Sequence, residues 1–143
     1  FLYVSKNFDF GNPTTRKKIY GVYITYRTNS NDAEVVPVYA LNSDAPTISR
    51  GQYWDVTATR FDSTLSLFMG DTETGLDSTT KGLKNSTYAG RRIWRSVYLK
   101  PSTSLTSVYT FQFALTGTSS GGAIPVDFEV NDITIVYREK AQK

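Results

Sequence analysis

The sequence predicts an all-β protein: a β-sandwich, most simply a jelly roll of about eight strands, with no significant helix. Three observations lead there. The chain of 143 residues carries 14 Ser, 19 Thr and 20 aromatic residues but one Met, and has no long run of the strong helix formers Ala, Leu, Glu and Lys. Apolar residues recur with period two over short stretches, the spacing of a half-buried strand. Between those stretches stand clusters of Gly, Ser, Thr, Asn and Pro, which turn the chain. The length suits a single domain over residues 1–143, long enough to bury a real core.

In chain order, Tyr20 to Tyr26 is the clearest strand. Alternation sends Tyr20, Val22, Ile24 and Tyr26 to one face and Gly21, Tyr23 and Thr25 to the other. A polar turn from Arg27 to Asp32 follows, and Glu34 to Leu41 resumes as a strand. Pro37 lacks an N–H, which puts that strand at an edge or at a bulge. Tyr53 to Arg60 and Ser63 to Phe68 read as two more strands, the second with Leu65 and Leu67 on one side. Residues 70–90 show no sustained apolar period and form the longest loop, a place where a specific contact could sit. Arg92 to Leu99 is a strand, and so is Thr106 to Leu115, with Tyr109, Phe111, Phe113 and Leu115 on its core face. Gly121 and Gly122 close a flexible turn before the final strands. There the apolar face passes from even to odd numbers across Asn131 and Asp132, which marks a bulge or bend.

Histidine and cysteine are both absent. That removes imidazole bases, Ser-His-Asp and Cys-His nucleophiles, thiolate metal sites and disulfides together, and the sequence reads as non-enzymatic, with no cofactor and no metal. The net charge of +3, from 16 basic and 13 acidic residues, is far below the dense field of a dedicated nucleic-acid binder. No stretch approaches the ~20 apolar residues of a membrane-spanning helix, and no membrane partner is expected. The loop carboxylates Asp71, Glu73 and Asp77 have part of a calcium-loop pattern, but Leu76 stands where the turn glycine belongs.

Two clusters are candidates for protein contacts. Arg16, Lys17 and Lys18 form a dense positive run before the strongest strand, where a solvated turn would also guard the strand end. Arg91, Arg92 and Arg95 flank Trp94, a pairing of guanidinium and indole enriched at binding hot spots. A third pair, Tyr53 and Trp54, would stack on sugar rings if open to solvent, the mark of a carbohydrate-binding module.

The ends of the chain add a resemblance. The stretch Phe8-Asp9-Phe10-Gly11-Asn12-Pro13-Thr14-Thr15-Arg16-Lys17-Lys18-Ile19-Tyr20-Gly21-Val22-Tyr23-Ile24-Thr25-Tyr26 resembles a segment of structural proteins of tailed bacteriophages, in a domain near the end of a tail or head-to-tail connecting protein. Asp127-Phe128-Glu129-Val130-Asn131-Asp132-Ile133-Thr134-Ile135-Val136-Tyr137-Arg138 looks like the closing strand of the same domain. The resemblance covers the two ends alone and rests on strand and turn residues. It implies a virion building block, assembled in host cytoplasm, that is the C-terminal part of a longer chain. Its partners would be other virion proteins and copies of itself in a symmetric assembly, with Arg16, Lys17, Lys18, Arg91, Arg92, Trp94 and Arg95 at the contacts. The alternative is a carbohydrate-binding module, free-standing or meeting a host-surface glycan at a phage tail through Tyr53 and Trp54.

Overall fold

A computed structural model describes residues 2–28, 35–44, 54–61, 75–84, 94–117 and 128–141. Its eight described strands are β1 (Leu2–Val4), β2 (Lys17–Arg27), β3 (Val35–Leu41), β4 (Arg60–Phe61), β5 (Arg95–Leu99), β6 (Leu105–Val108), β7 (Phe111–Gly117) and β8 (Glu129–Glu139), and no helix occurs among the described residues. They form two antiparallel sheets. One has the order β1-β7-β3; in the other β2 is central, with β5 and then β4 on one side, β6 continuing that side, and β8 along its whole other edge. The all-β expectation therefore stands. Ser63 to Phe68 and the stretch 85–93 lie outside the described residues.

Both sheets feed one apolar core. Ile19, Val22, Ile24 and Tyr26 of β2 meet Val35 and Tyr39 of β3 and Phe111, Phe113 and Leu115 of β7. A smaller cluster of Val36, Val38 and Ala114 is buried on the opposite face of the three-stranded sheet. That sheet is thus covered on both faces, which is why β3 reads as the nearly unbroken apolar run Val-Val-Pro-Val-Tyr-Ala-Leu.

Pro37 sits on edge strand β3, as its missing N–H requires. Two outward-pointing carbonyls of that edge are capped: Leu83 N–H donates to Val35 O at 2.7 Å and Trp54 Nε1–H to Pro37 O at 3.2 Å. The bulge anticipated near Asn131 is also present. Thr25 pairs with Asp132 and Tyr26 with Val130, so Asn131 has no partner across the ladder.

Four expectations need correction. A second bulge lies on β2, where Ile19 pairs with Tyr137 and Gly21 with Val136. Tyr20 is the extra residue, and it is 38% exposed instead of joining the core face of Val22. Of the strand expected from Tyr53 to Arg60, the described part from Trp54 to Thr59 is largely a turn, because Asp55 Oδ1 accepts from the Thr57 N–H, the Thr57 hydroxyl and the Ala58 N–H, and Asp55 O from the Thr59 N–H. Thr106 to Leu115 is not one strand: the chain leaves one sheet after Val108 and enters the other at Phe111, with the Tyr109 N–H held by Asn42 Oδ1 at 2.8 Å. Within residues 70–90, the described part is pinned, since Leu76 and Leu83 bridge each other and are both buried in the core cluster.

Candidate interaction face

The register of β2 against β5 and β8 fixes what the outer face of the larger sheet displays. With Val22, Ile24 and Tyr26 turned inward, Tyr23, Thr25 and Arg27 turn outward. Tyr23 lies between Tyr98 and Thr134, Thr25 between Ser96 and Asp132, and Arg27 beside Glu129. Beyond the bulge, Tyr20 and Lys18 continue the face, and Lys18 pairs with Arg138. From Lys18 to Arg27 the strip runs ~30 Å at the usual rise of ~3.3 Å per residue.

Aromatic rings and cations interleave along it. The Tyr23 and Tyr98 rings are 4.7 Å apart, and Tyr98 OH donates to Tyr20 O at 2.9 Å. Tyr98 lies over Gly21, where an added Cβ would stand 2.5 Å from the ring. Burial, then the neighbouring Tyr23, pushes the Tyr98 phenol above its usual pKa. The Lys18 ammonium lies 5.1 Å from the centre of the Tyr20 ring. At the far end the Arg27 guanidinium stacks on Trp94, 4.5 Å from the ring centre, while Arg27 Nε donates to Glu129 Oε2. Trp94, Tyr20 and Tyr23 are 38–40% exposed. The Tyr20 and Tyr23 rings are carried by a hydrogen-bonded strand and lose little further freedom when a partner covers them.

The anticipated contact residues divide. Arg16 and Lys18 do lie toward solvent at one end of β2, and Trp94 at the other, beside Arg27. Lys17 does not: it begins β2 rather than belonging to a solvated turn, and its side chain is fully buried. Its ammonium donates to Asn12 O at 2.5 Å and Tyr109 O at 2.9 Å and lies 5.8 Å from the Phe10 ring centre, clamping two turns together. Arg95, opposite Tyr26, is buried as well. Neither is available to a partner in this structure. Trp54 corrects the sugar-stacking expectation, since it is 3% exposed, packs on Tyr39 and Phe113 and spends its N–H on the β3 edge. Tyr53, Arg91 and Arg92 lie outside the described residues.

Sequence reasoning missed Tyr20, Tyr23, Tyr98, Arg27 and Glu129 as a group. Tyr23 carried a signal, as a large aromatic on the minority face of an otherwise apolar alternation. The pairing of Arg27 with Trp94 and Glu129 depends on strand order and left no local trace.

Two depressions adjoin this sheet. A recess of about 380 Å³ opens beside Lys18 and Tyr20, bordered by Asp55, Lys100 and the run Ser102 to Ser104. A cleft of about 630 Å³ lies between the two sheets, where Phe8, Phe113 and Leu115 face Phe128, Ile133 and Ile135. Asp55 is engaged by the Thr57 hydroxyl and the Ala58 and Thr57 amides, which hold its carboxyl below the usual carboxylate range. Among the described residues, no group of three His, Cys, Asp or Glu side chains is placed to hold a metal ion. Comparison with protein-family models, with curated proteins and with solved structures finds no match to this chain.

Proposed function

We propose that this chain is a non-enzymatic structural component of a tailed-phage virion, a tail, neck or surface-decorating β domain that mediates subunit contacts. Its two sheets then form a jelly-roll sandwich of about eight strands. The virion assignment rests on the resemblance of the two ends of the chain. The observation that supports a contact role is the outer face of the larger sheet, where Tyr20, Tyr23 and Trp94 stay open beside Arg27 and Lys18. Tyr, Trp and Arg are the side chains that dominate binding energy at protein interfaces, and here Tyr20, Tyr23 and Arg27 are held by strand β2, with Trp94 just before β5.

Sedimentation of gently lysed source material, followed by peptide mapping of the fractions, tests the proposal. The chain should travel with large particles alongside other virion proteins. Recovery solely as a soluble monomer would contradict it.

The same face supports a second reading, a carbohydrate platform at a host surface. Trp54 is unavailable for it, and Tyr20, Tyr23 and Trp94 take its place. Glycan-array binding abolished by Tyr23→Ser would favour this reading over the first.

A further inference from the structure

β8 is the longest edge strand described, equal in length to β2, and pairs on one side only among the described residues. An open edge of this length is a template for another strand. Its charges are placed unusually. On the outer face Arg138 stands opposite Lys18, a like charge, and Asp132 stands opposite Thr25, which is neutral. The ion pair Arg27 with Glu129 is formed nearby, yet neither Asp132 nor Arg138 has an ion-pair partner among the described residues.

We propose that β8 pairs antiparallel with β8 of a second copy of this chain, about a two-fold axis through Ile135. That register sets Asp132 opposite the partner's Arg138 and, by symmetry, Arg138 opposite the partner's Asp132. Thr134 then faces Val136, and Ile133 faces Tyr137. Each charge unbalanced within one sheet is balanced across the axis, and a shift by two residues in either direction breaks both pairs. The bulge at Asn131 ends the regular stretch just beyond Asp132, which limits the pairing to residues 132–138.

Charged residues on an edge strand ordinarily discourage pairing. Here they admit one register, which is specificity by complementary charge. The two-fold lies perpendicular to the sheet, so the outer faces of both copies point the same way and their tyrosine strips lie side by side. On the inner side, half-buried Ile135 comes opposite the second copy's Ile135 and Ile133 opposite its Tyr137, both isoleucines bordering the apolar cleft. This inference deepens the contact role proposed above by naming one partner and one register.

The chain has no cysteine, so a single introduced thiol is a clean probe. Directly opposed residues of an antiparallel pair lie ~4.5–5.5 Å apart at Cα, within the span a disulfide bridges. Ile135→Cys should form a disulfide-linked dimer under mild oxidation, and Thr106→Cys on β6 should not. Because Ile135 contributes to packing, sedimentation of exposed-charge variants gives a second test. Arg138→Asp should raise the dimer dissociation constant about tenfold while leaving the monomer folded, since the new carboxylate faces Lys18. Adding Asp132→Arg should restore dimerisation.

No Ile135→Cys cross-link, together with sedimentation unaffected by Arg138→Asp, would overturn the pairing. If copies still associated, the contact role would survive through another surface; if the unaltered chain never associated and travelled with no particle, both readings would fall.

Discussion

In the three-stranded sheet, β3 turns Val35, Pro37 and Tyr39 toward one side and Val36, Val38 and Ala40 toward the other, and all six are buried. In the larger sheet, β2 buries Val22, Ile24 and Tyr26 but leaves Tyr23 open and Thr25 and Arg27 half-buried on the opposite face. The edges differ in the same sense. The β3 edge has two of its carbonyls, Val35 O and Pro37 O, capped by Leu83 and Trp54, whereas β8 pairs on one side only among the described residues. One sheet is buried on both faces of β3 and capped at two points of its β3 edge. The other, among the described residues, is packed on its inner face, and on its outer face and β8 edge the aromatic, cationic and edge-strand features collect.

This contrast makes stability and association separable by mutation. The largest effect is expected on the closed side. Trp54→Ala removes a ring packed on Tyr39 and Phe113 and uncaps Pro37 O, and should cost about 3–5 kcal/mol in urea unfolding. Next comes the seat of the tyrosine pair: a Cβ at Gly21 would stand 2.5 Å from the Tyr98 ring and 2.6 Å from Leu99 O. The ring can swing but the backbone oxygen cannot, so Gly21→Ala should cost about 1–3 kcal/mol. The same change should disturb Tyr98, visible as a shift of its phenol titration.

Acid should loosen the closed edge first. Trp54 and Leu83 are presented by turns built on Asp55 and Asp77. The Asp55 carboxyl is held below its usual pKa chiefly by the Thr57 hydroxyl, and that of Asp77 chiefly by the Thr80 amide. A carboxyl whose pKa is lower folded than unfolded contributes stability above its unfolded value, ~3.9, and loses it as pH falls through the folded value. Amide protection at β3, taken relative to intrinsic exchange at each pH, should therefore fall below ~pH 4 before protection at β2 does. Asp77→Asn should flatten that dependence. Equal loss of protection in both strands would remove the distinction. The smallest expected change in stability is on the open face, where Tyr23→Ser should move the unfolding free energy by no more than about 0.5 kcal/mol while weakening association.

The sequence made the closed parts legible for a physical reason. A face that must avoid water imposes period two or an apolar run, which is how β2, β3 and the core face of Phe111, Phe113 and Leu115 could be read. The bulge at Asn131 was readable because it shifts that period by one. The Tyr20 bulge was hidden, since Tyr satisfies an apolar pattern and tolerates solvent equally well. Lys17 was misread because a buried ammonium is stabilised by carbonyls from Asn12 and Tyr109, the second 92 positions away. The same holds for the open face: Arg27 meets Trp94 and Glu129 through strand order, and composition carries no record of strand order.

The most direct test of the central claim is backbone amide exchange on the unaltered chain, compared between dilute monomer and a concentration at which sedimentation shows association. The account predicts new protection along residues 132–138 of β8, with β3 and β7 unchanged. Protection gained in β3 or β7 with none in β8, or no association at any concentration, would contradict it.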